Sequence, residues 1–498
     1  MKKLIIVALA CMMAACSDNF LEIYPETALN VANFYQNQDQ FITSTNACYI
    51  GLRNYNKIDY WAINEIASDN SSFMISSLSN AYLRGPSAYD LFLYYVAPDW
   101  EYGADFWNQA YKGIYDCNVL LSEIERPNVA WNNLKYKDRC VGEALFLRAL
   151  YYFDLVRAYG GVPIVLKPIT AQEAVETKRS TVDQVYEVVI NDLKEAITHF
   201  TLTTDIEENG RANLGAANAL LGKVYLTLKK FAEAEAALNA VITSSKYSLL
   251  TNYADLFLPS KKDFKETVFA VQYLEGSAAL ANNFIFWFAP HTSKGEVTLR
   301  PAINLATGHR GANQPTQDLI DAFEPGDLRK NVSIKYWRGA DWDLVVRDIP
   351  YCAKFKPPVS AADDRCSDNM PIIRYSDVLL MYAEVLNNQG KTTQAIPYVQ
   401  QVRNRAGLTA SISGYSQAQL DVLIAHERQV EFCFENQRWN DLRRTGKAFD
   451  VMKAHVVREK ALKPWLAAMP YEVVANKFLL PIPAQEIVAN HLEQNPGY

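Results

Sequence analysis

The stretch that decides the fold is residues 221–238, which read LGKVYLTLKKFAEAEAAL. Small and apolar side chains recur in it at spacings of 3, 6, 3 and 4 residues, at Gly222, Tyr225, Phe231, Ala234 and Leu238. Apolar residues three and four apart lie on one face of an α-helix, and the longer spacing of six accommodates a turn. The stretch therefore predicts two helices joined by a turn, whose small side chains let the backbones approach closely.

A second stretch repeats this unit. Its small and apolar positions follow a similar course around a turn at 387–391, at Ala383, Leu386, Gly390, Ala395 and Val399. A more degenerate pair covers 106–124 and 143–159. These spacings are those of the tetratricopeptide repeat, whose units must stack because one unit cannot bury its apolar face alone. We predict a mostly α protein with a tetratricopeptide-like helical-repeat scaffold, mainly at about 104–245 and 374–450.

Two long segments differ from the helical stretches in composition and lack their periodicity. Residues 70–103 are rich in Ser, Tyr, Asn and Gly, and residues 247–350 are interrupted by Gly, Pro, Asn and Asp. Both patterns predict loops and short strands. Long irregular segments within a folded protein are usually functional, so we expect them to form a loop-rich elaboration that carries a binding site.

The first residues have the pattern of an export signal. Lys2 and Lys3 precede an apolar run over 4–15, which is too short to span a bilayer as a helix. Met13-Ala14-Ala15-Cys16 resembles a bacterial lipobox, in which the cysteine becomes the lipidated first residue. We predict a signal peptide at 1–15, a lipid anchor at Cys16 with a tether to residue 45, and one domain over 46–498. A soluble exported protein cleaved nearby is the alternative.

Composition excludes several classes of function. The net charge of −6 is unlike that of a nucleic-acid binder with a basic face. The six histidines are scattered, and no metal-ligand spacing, nucleophile elbow or phosphate-binding loop occurs. We therefore expect a protein that is not an enzyme and has no cofactor or metal site. Cys352 and Cys366 bracket a polar loop, and the sequence leaves open whether a disulfide joins them.

Several motifs resemble those of the SusD/RagB family of surface nutrient-binding lipoproteins, and the resemblance covers nearly the whole chain. They occur in family order, at 20–25, 65–70 (EIASDN), 142–149, 159–163, 374–384 (RYSDVLLMYAE), 427–444, 479–483 and 494–498.

The resemblance implies a helical protein with four tetratricopeptide-like units that lacks catalytic activity. It also implies a place on the extracellular face of the outer membrane, as the lid of a SusC-like TonB-dependent transporter. Members of the family mostly capture oligosaccharides, so a glycan is the expected ligand. Some members capture peptides, and a peptide- or protein-binding surface lipoprotein of the same family is the alternative.

The ligand-binding residues are expected in the two irregular segments. Aromatic faces stack on the C–H faces of sugars, while amide, carboxylate and guanidinium groups hydrogen-bond to the hydroxyls. The candidates are Tyr82, Arg84, Tyr89, Trp100, Trp287, Phe288, Arg300, Asn304, His309, Arg310, Trp337 and Trp342. For each aromatic residue the alternative is that it packs a loop onto the scaffold.

The charged residues of the family-like motifs are interpreted differently. Arg-to-carboxylate pairs and a buried tryptophan that hold helices together explain them without a ligand. We therefore predict structural roles for Arg148, Arg374, Asp377, Arg438, Trp439 and Asp441.

Overall fold

A computed structural model describes residues 34–56, 59–73, 101–262, 265–277, 279–299, 311–340, 345–358, 365–463 and 473–498. The α-helices of five or more residues, numbered in chain order, are α1 (Gln38–Cys48), α2 (Ile50–Tyr55), α3 (Glu101–Glu123), α4 (Lys135–Tyr159), α5 (Ala171–Glu176), α6 (Val182–Thr201), α7 (Leu214–Thr227), α8 (Phe231–Thr243), α9 (Phe284–Phe288), α10 (Gln317–Ala322), α11 (Arg329–Ser333), α12 (Tyr375–Asn388), α13 (Thr392–Arg405), α14 (Gln417–Glu431), α15 (Arg438–Arg444), α16 (Ala448–Leu462) and α17 (Ala484–Asn490). The prediction of a mostly α protein is confirmed.

Strands and tighter helical turns occupy the parts between the long helices. The strands are β1 (Ser71–Ser72), β2 (Thr267–Val271), β3 (Gln314–Pro315), β4 (Ile334–Ala340), β5 (Val346–Cys352) and β6 (Met370–Arg374). They pair antiparallel as β1 with β3, β2 with β6, and β4 with β5. An α-helical turn at Asp59–Trp61 continues into a π-helical turn at Ala62–Ile66, and 3-10 turns lie at Tyr253–Phe257, His291–Ser293 and Ala475–Lys477.

The long helices form the stacked repeat scaffold. α3 packs on α4, α4 on α6, α6 on α7, α7 on α8, α8 on α12, and α12 on both α13 and α14. The stretch 221–238 covers the turn between α7 and α8. A Cβ atom added at Gly222 would lie 2.5 Å from Cγ of Leu238, so the two helices pack at this point through the absence of a side chain. The helix pair predicted from the spacing is confirmed.

Local sequence explains where the long helices begin and end. Thr181 starts α6 and Ser416 starts α14, each in a capping box with a Gln three residues later. The Asn213 side chain accepts a hydrogen bond from the Ala216 N–H at the start of α7. Gly160 ends α4 with φ of 76°, in the left-handed region that glycine adopts without strain.

Two sequence expectations are refined by the fold. The sequence predicts a tether over 16–45, but α1 begins at Gln38, and Phe41 and Thr45 within it are fully buried. The folded body therefore begins before residue 46, because these side chains contribute to its core. The six cysteines among the described residues are all buried and form no disulfide, so Cys352 and Cys366 are not bridged.

The charged motif residues pair with one another in the interior, as predicted. Arg148 of α4 binds Asp192 of α6 at 2.7 and 2.8 Å. Arg428 of α14 bonds to Asp377 at 2.7 Å and to Asp441 at 2.8 Å. Such charge-assisted bonds join helices that are distant in sequence, which is the structural role expected of them.

Candidate ligand-binding face

The two segments predicted to carry the ligand site attach to the described structure at neighbouring points. Ser71 pairs with Pro315 and Ser72 pairs with Gln314 in the antiparallel β1–β3 ladder. In such a ladder the chain that leaves one strand runs beside the chain that enters the other. Phe73 follows β1 and Asn313 precedes β3, so described residues that flank the two predicted segments lie at the same edge of this ladder.

Hydrogen bonds hold this ladder against the scaffold. The Ser71 hydroxyl donates to Oδ1 of Asn313 at 2.6 Å, and the Thr316 N–H donates to the Asn70 carbonyl at 3.1 Å. Asp69, directly before the ladder, accepts two bonds of 2.8 Å from Arg438 of α15. A bidentate, charge-assisted pair between Arg438 and Asp69 thereby joins the base of the predicted site to the helical core.

The EIASDN motif also contributes Glu65, a fully buried carboxyl. Its two oxygens accept the N–H groups of Phe434 and Asn436, both at 2.8 Å. Those residues have φ of 66° and 63°, which non-glycine residues rarely adopt. Burial raises the pKa of Glu65 from 4.5 to about 7, against the lowering effect of these hydrogen bonds. Glu65 therefore secures a strained turn beneath the ladder.

The hairpin β4–β5 lies next to the ladder, where the Gln314 side chain donates to the Pro350 carbonyl of β5 at 3.4 Å, and Trp337 is on its strand β4. The indole Nε1–H of Trp337 donates to Oε2 of Glu296 at 2.8 Å, and the side chain is half-buried. A Cβ atom added at Gly339 would lie 1.9 Å from the indole ring, so the ring lies close over a glycine two residues further along the strand. Trp337 is thus a partly exposed aromatic group held in one orientation by both contacts.

Two other predicted site residues lie in the core. Phe288 is 1% exposed and Trp287 is 7% exposed. Their rings lie 5.1 Å and 6.0 Å, centroid to centroid, from the ring of the fully buried Trp61. Because all five residues of α9 are buried, the assignment of Trp287 and Phe288 to ligand contact is corrected to packing.

The remaining predicted residues lie outside the described part of the chain. They are Tyr82, Arg84, Tyr89, Trp100, Arg300, Asn304, His309, Arg310, Trp342 and the lipidation candidate Cys16. They stay predictions.

Sequence reasoning missed Glu296 and Gly339, which position Trp337. Glu296 is 41 residues from its partner, and no local pattern connects the two. Gly339 did carry a signal, since glycine inside a strand often marks the close approach of another group.

A separate cavity lies away from this face. It has a volume of about 430 Å³ and is lined by residues around 207–213, 246–247 and 262–270. Two of its cations pair with acids, Lys246 with Glu207 and Arg211 with Glu143. Its aromatic residues Tyr247 and Phe269 are buried, so among its lining residues none offers an exposed ring on which a sugar could stack.

One group of side chains has the donor types of a metal site. Ligand atoms of Glu324, His426 and Glu427 lie within 4.8 Å of one another. Arg403 bonds to both carboxylates, and Arg329 bonds to Glu427 at 2.9 Å. Guanidinium groups already neutralise these acids, so the donor set fits an ion-pair network better than a cation site.

Within the described ranges, no helix is both long and apolar enough to span a bilayer. The fold and the hairpin define a class of protein: a stacked helical scaffold that supports irregular loops and a fixed, partly exposed aromatic residue. This is the architecture of a binding protein built on repeats.

Family models identify the particular family. A model described as "SusD family" matches residues 348–498, and one described as "Starch-binding associating with outer membrane" matches residues 19–226. Together with the SusD-like relatives below, the two models support the SusD/RagB family that the motifs of this chain predicted.

Relatives and solved structures agree with this membership. A SusD-like protein of Formosa agariphila is 27% identical over 468 residues, covering 87% of this chain and 89% of the relative. A SusD-like protein of Bacteroides ovatus is 25% identical over 473 residues, covering 89% and 82%. A structure described as a laminarin binding SusD-like protein matches 93% of this chain and 100% of its own at 25% identity, with a TM-score of 0.74. A SusD superfamily protein from Parabacteroides distasonis matches 93% and 99% at 26% identity, with a TM-score of 0.76.

Proposed function

We propose that this protein captures oligosaccharides or polysaccharide at the cell surface and delivers them to a SusC-like TonB-dependent transporter of the outer membrane. In this proposal it is a binding protein and not an enzyme. The lipid on Cys16 anchors it to the extracellular face of that membrane.

The family supports the glycan part of the proposal. One matching family model is described as starch-binding and associated with the outer membrane, and one structural relative is described as laminarin binding. Both descriptions concern carbohydrate, so a glucan is the first ligand to test on this chain.

The observation that carries the proposal is the fixed orientation of the partly exposed Trp337 ring. Sugar recognition needs an aromatic face whose orientation is already set, because an immobile ring loses little conformational entropy on binding. The Glu296 hydrogen bond and the close contact with Gly339 supply that orientation. The shared edge of the β1–β3 ladder supports the proposal that Tyr82, Arg84, Tyr89, Trp100, Arg300, Asn304, His309, Arg310 and Trp342 complete the site.

Calorimetric titration of the purified mature chain against a polysaccharide panel that includes laminarin and starch tests ligand capture. We expect Trp337→Ala to weaken binding by about 1–2 kcal/mol, roughly 5- to 30-fold in Kd, since a central aromatic contact has this value at interfaces. Tyr415→Ala is the matched control, because Tyr415 is also an exposed aromatic residue, 38% accessible, but lies before α14.

Two results would reject this assignment. Equal affinity of the Trp337 and Tyr415 variants would remove the hairpin from the site. Binding to peptide pools with no heat from any glycan would favour the peptide-binding alternative.

The anchor and the transporter need separate experiments. Mass spectrometry of the mature N-terminus should find a lipidated Cys16, and an unmodified terminus at another residue would refute the anchor. Affinity purification from outer membranes should recover a TonB-dependent β-barrel with the tagged protein. Its absence from purifications under mild detergent would contradict the delivery role while leaving ligand capture intact.

A further inference from the structure

A second cavity lies between the repeat helices, and none of its lining residues belongs to the candidate ligand-binding face. Its volume is about 260 Å³, several times the roughly 30 Å³ that a water molecule occupies in the liquid. Residues of α4, α6, α7, α12, α14 and α15 line it, and Val182, 42% exposed at the start of α6, lies on its lining. The cavity can therefore admit a polyatomic ion.

The lining is strongly cationic. Its charged side chains are Arg157, Lys223, Arg428, Arg443, Arg444 and Asp441, which makes five cations and one carboxylate. A cavity enclosed by low-dielectric walls strengthens the field of such groups. What matters for a ligand is how many of these cations already have an acidic partner.

Four of the five cations are paired. Arg157 binds Asp154, and Lys223 bonds to Asp377 at 2.9 Å. Arg428 shares Asp377 and Asp441. Arg444 bonds to Asp441 and to Glu384, each at 2.8 Å. Four carboxylates therefore pair with four of the cations, and Arg443 is the fifth cation of the lining.

Arg443 has no carboxylate partner among the described residues. Its Nη2 donates to the Arg157 carbonyl, and its guanidinium lies 5.8 Å from the Trp439 ring centroid. Its Nε and Nη1 donors make no hydrogen bond within the described part of the chain. Burial, together with the nearby positive charge of Arg157, lowers the pKa of Arg443 to about 10. An anion bound in the cavity would favour the charged guanidinium and so raise the pKa of Arg443 again.

Tyr186 offers a second donor on the same wall. It is 8% exposed, lines the cavity, and its hydroxyl has no hydrogen-bond partner within the described ranges. Arg443 is among the charges that act on this hydroxyl. The nearby N-terminus of the 20-residue helix α6 adds further positive potential.

We propose that this cavity is a binding site for a small oxyanion, with Arg443 as the main binding residue and Tyr186 as an additional donor. Phosphate, sulfate and the carboxylate of an acidic sugar share the required chemistry, since each offers two or more oxygens to a guanidinium fork. The site is independent of glycan capture at Trp337, and either proposal can fail without the other.

Calorimetry at constant ionic strength tests the site, with sodium phosphate, sodium sulfate and sodium glucuronate as separate titrants and sodium chloride as the blank. We expect saturable one-to-one binding of at least one titrant. The inorganic ions and the glucuronate arm distinguish a free oxyanion from one carried by a sugar.

Variants locate the bound ion. Arg443→Gln should weaken binding by about ten-fold or more, as expected for loss of a charge-assisted bond. Arg458→Gln, which removes an exposed arginine of α16 paired with Asp318 and Asp321, should bind like the wild type. Should Arg443→Gln fold poorly, Tyr186→Phe provides a milder test, with an expected loss of about three-fold. The absence of saturable heat with all three titrants, or unchanged affinity in folded Arg443→Gln, would overturn the proposal.

Discussion

The replacement Arg374→Met tests whether the buried ion network carries the stability of the scaffold. Arg374 is 1% exposed and lies where β6 meets α12. Its guanidinium bonds to Glu435 at 2.7 Å, to Glu431 at 2.8 Å and to Glu266 at 2.9 Å. Methionine preserves much of the apolar stem but removes every one of these bonds.

The expected loss of unfolding free energy depends on which cationic partners the three acids keep. Glu431 and Glu266 keep Arg405, and Glu435 keeps Lys354 at 2.7 Å. No acid becomes completely unpaired, yet each loses a neutralising charge while its side chain is buried. Burial opposes the ionised form of Glu431, but Arg405, Arg374 and Arg329 hold its pKa well below the ordinary value. Removing one partner of a buried network costs about 3–5 kcal/mol, and we expect a value in this range.

Urea unfolding followed by tryptophan fluorescence and circular dichroism measures the change, because urea does not screen charges as guanidinium does. Arg338→Met is the matched control: Arg338 pairs with Asp348 at 3.1 Å, but the two side chains are 69% and 58% exposed. A surface pair contributes about 0–1 kcal/mol. Adding Glu266→Gln to Arg374→Met should recover part of the loss, because it removes one excess negative charge while Arg405 keeps Glu431 as its partner. A loss no greater than that of the control, or no recovery in the double variant, would refute the reasoning.

Three further predictions follow from single contacts. Glu65→Gln should destabilise by about 1–3 kcal/mol, because an amide cannot accept both backbone N–H groups. The raised folded-state pKa of Glu65, about 7 against 4.5, means that its proton-linked stability is complete below about pH 4.5 and is lost as pH rises through 7. Urea midpoints should therefore show this component in the wild type and not in Glu65→Gln, and parallel pH profiles would contradict it. Gly222→Ala should cost about 1–3 kcal/mol by clashing with Leu238, and a double variant with Leu238→Ala should lose less than the sum of the two changes, whereas additive losses would contradict the clash. Gly339→Ala should displace Trp337 and weaken glycan binding in calorimetry with little change in unfolding midpoint, and unchanged affinity would show that the ring does not depend on this glycine.

The repeat helices could be predicted from sequence because their determinants are local. The spacing within 221–238 reports one face of each helix, and α7 and α8 lie where it predicts. The arginines and acids of the motifs were also correctly interpreted. A long charged side chain among apolar neighbours in a helix must find a buried partner, although the sequence does not say which one.

The candidate site was harder because its contacts are not local. Nothing in the sequence joins Trp337 to Glu296, since the hydrogen bond depends on how a hairpin and a loop are placed by the scaffold. The burial of Trp287 and Phe288, by contrast, has a local signal in the sequence. The run FIFWF over 284–288 is apolar without interruption, which is typical of a segment buried on all sides.

The burial of the motif charges explains why they carry no information about the ligand. Arg374 and Glu431 are at most 1% exposed, so a ligand cannot reach them, and a change at either position is limited by the stability of the fold. Trp337 is not constrained in this way, because a substitution of a partly exposed side chain rarely changes stability by more than about 0.5 kcal/mol. Ligand preference can therefore vary on this face while the scaffold stays the same. For this reason the motifs point to the family, whereas the glycan preference that we propose has to be determined by binding measurements on variants of the hairpin.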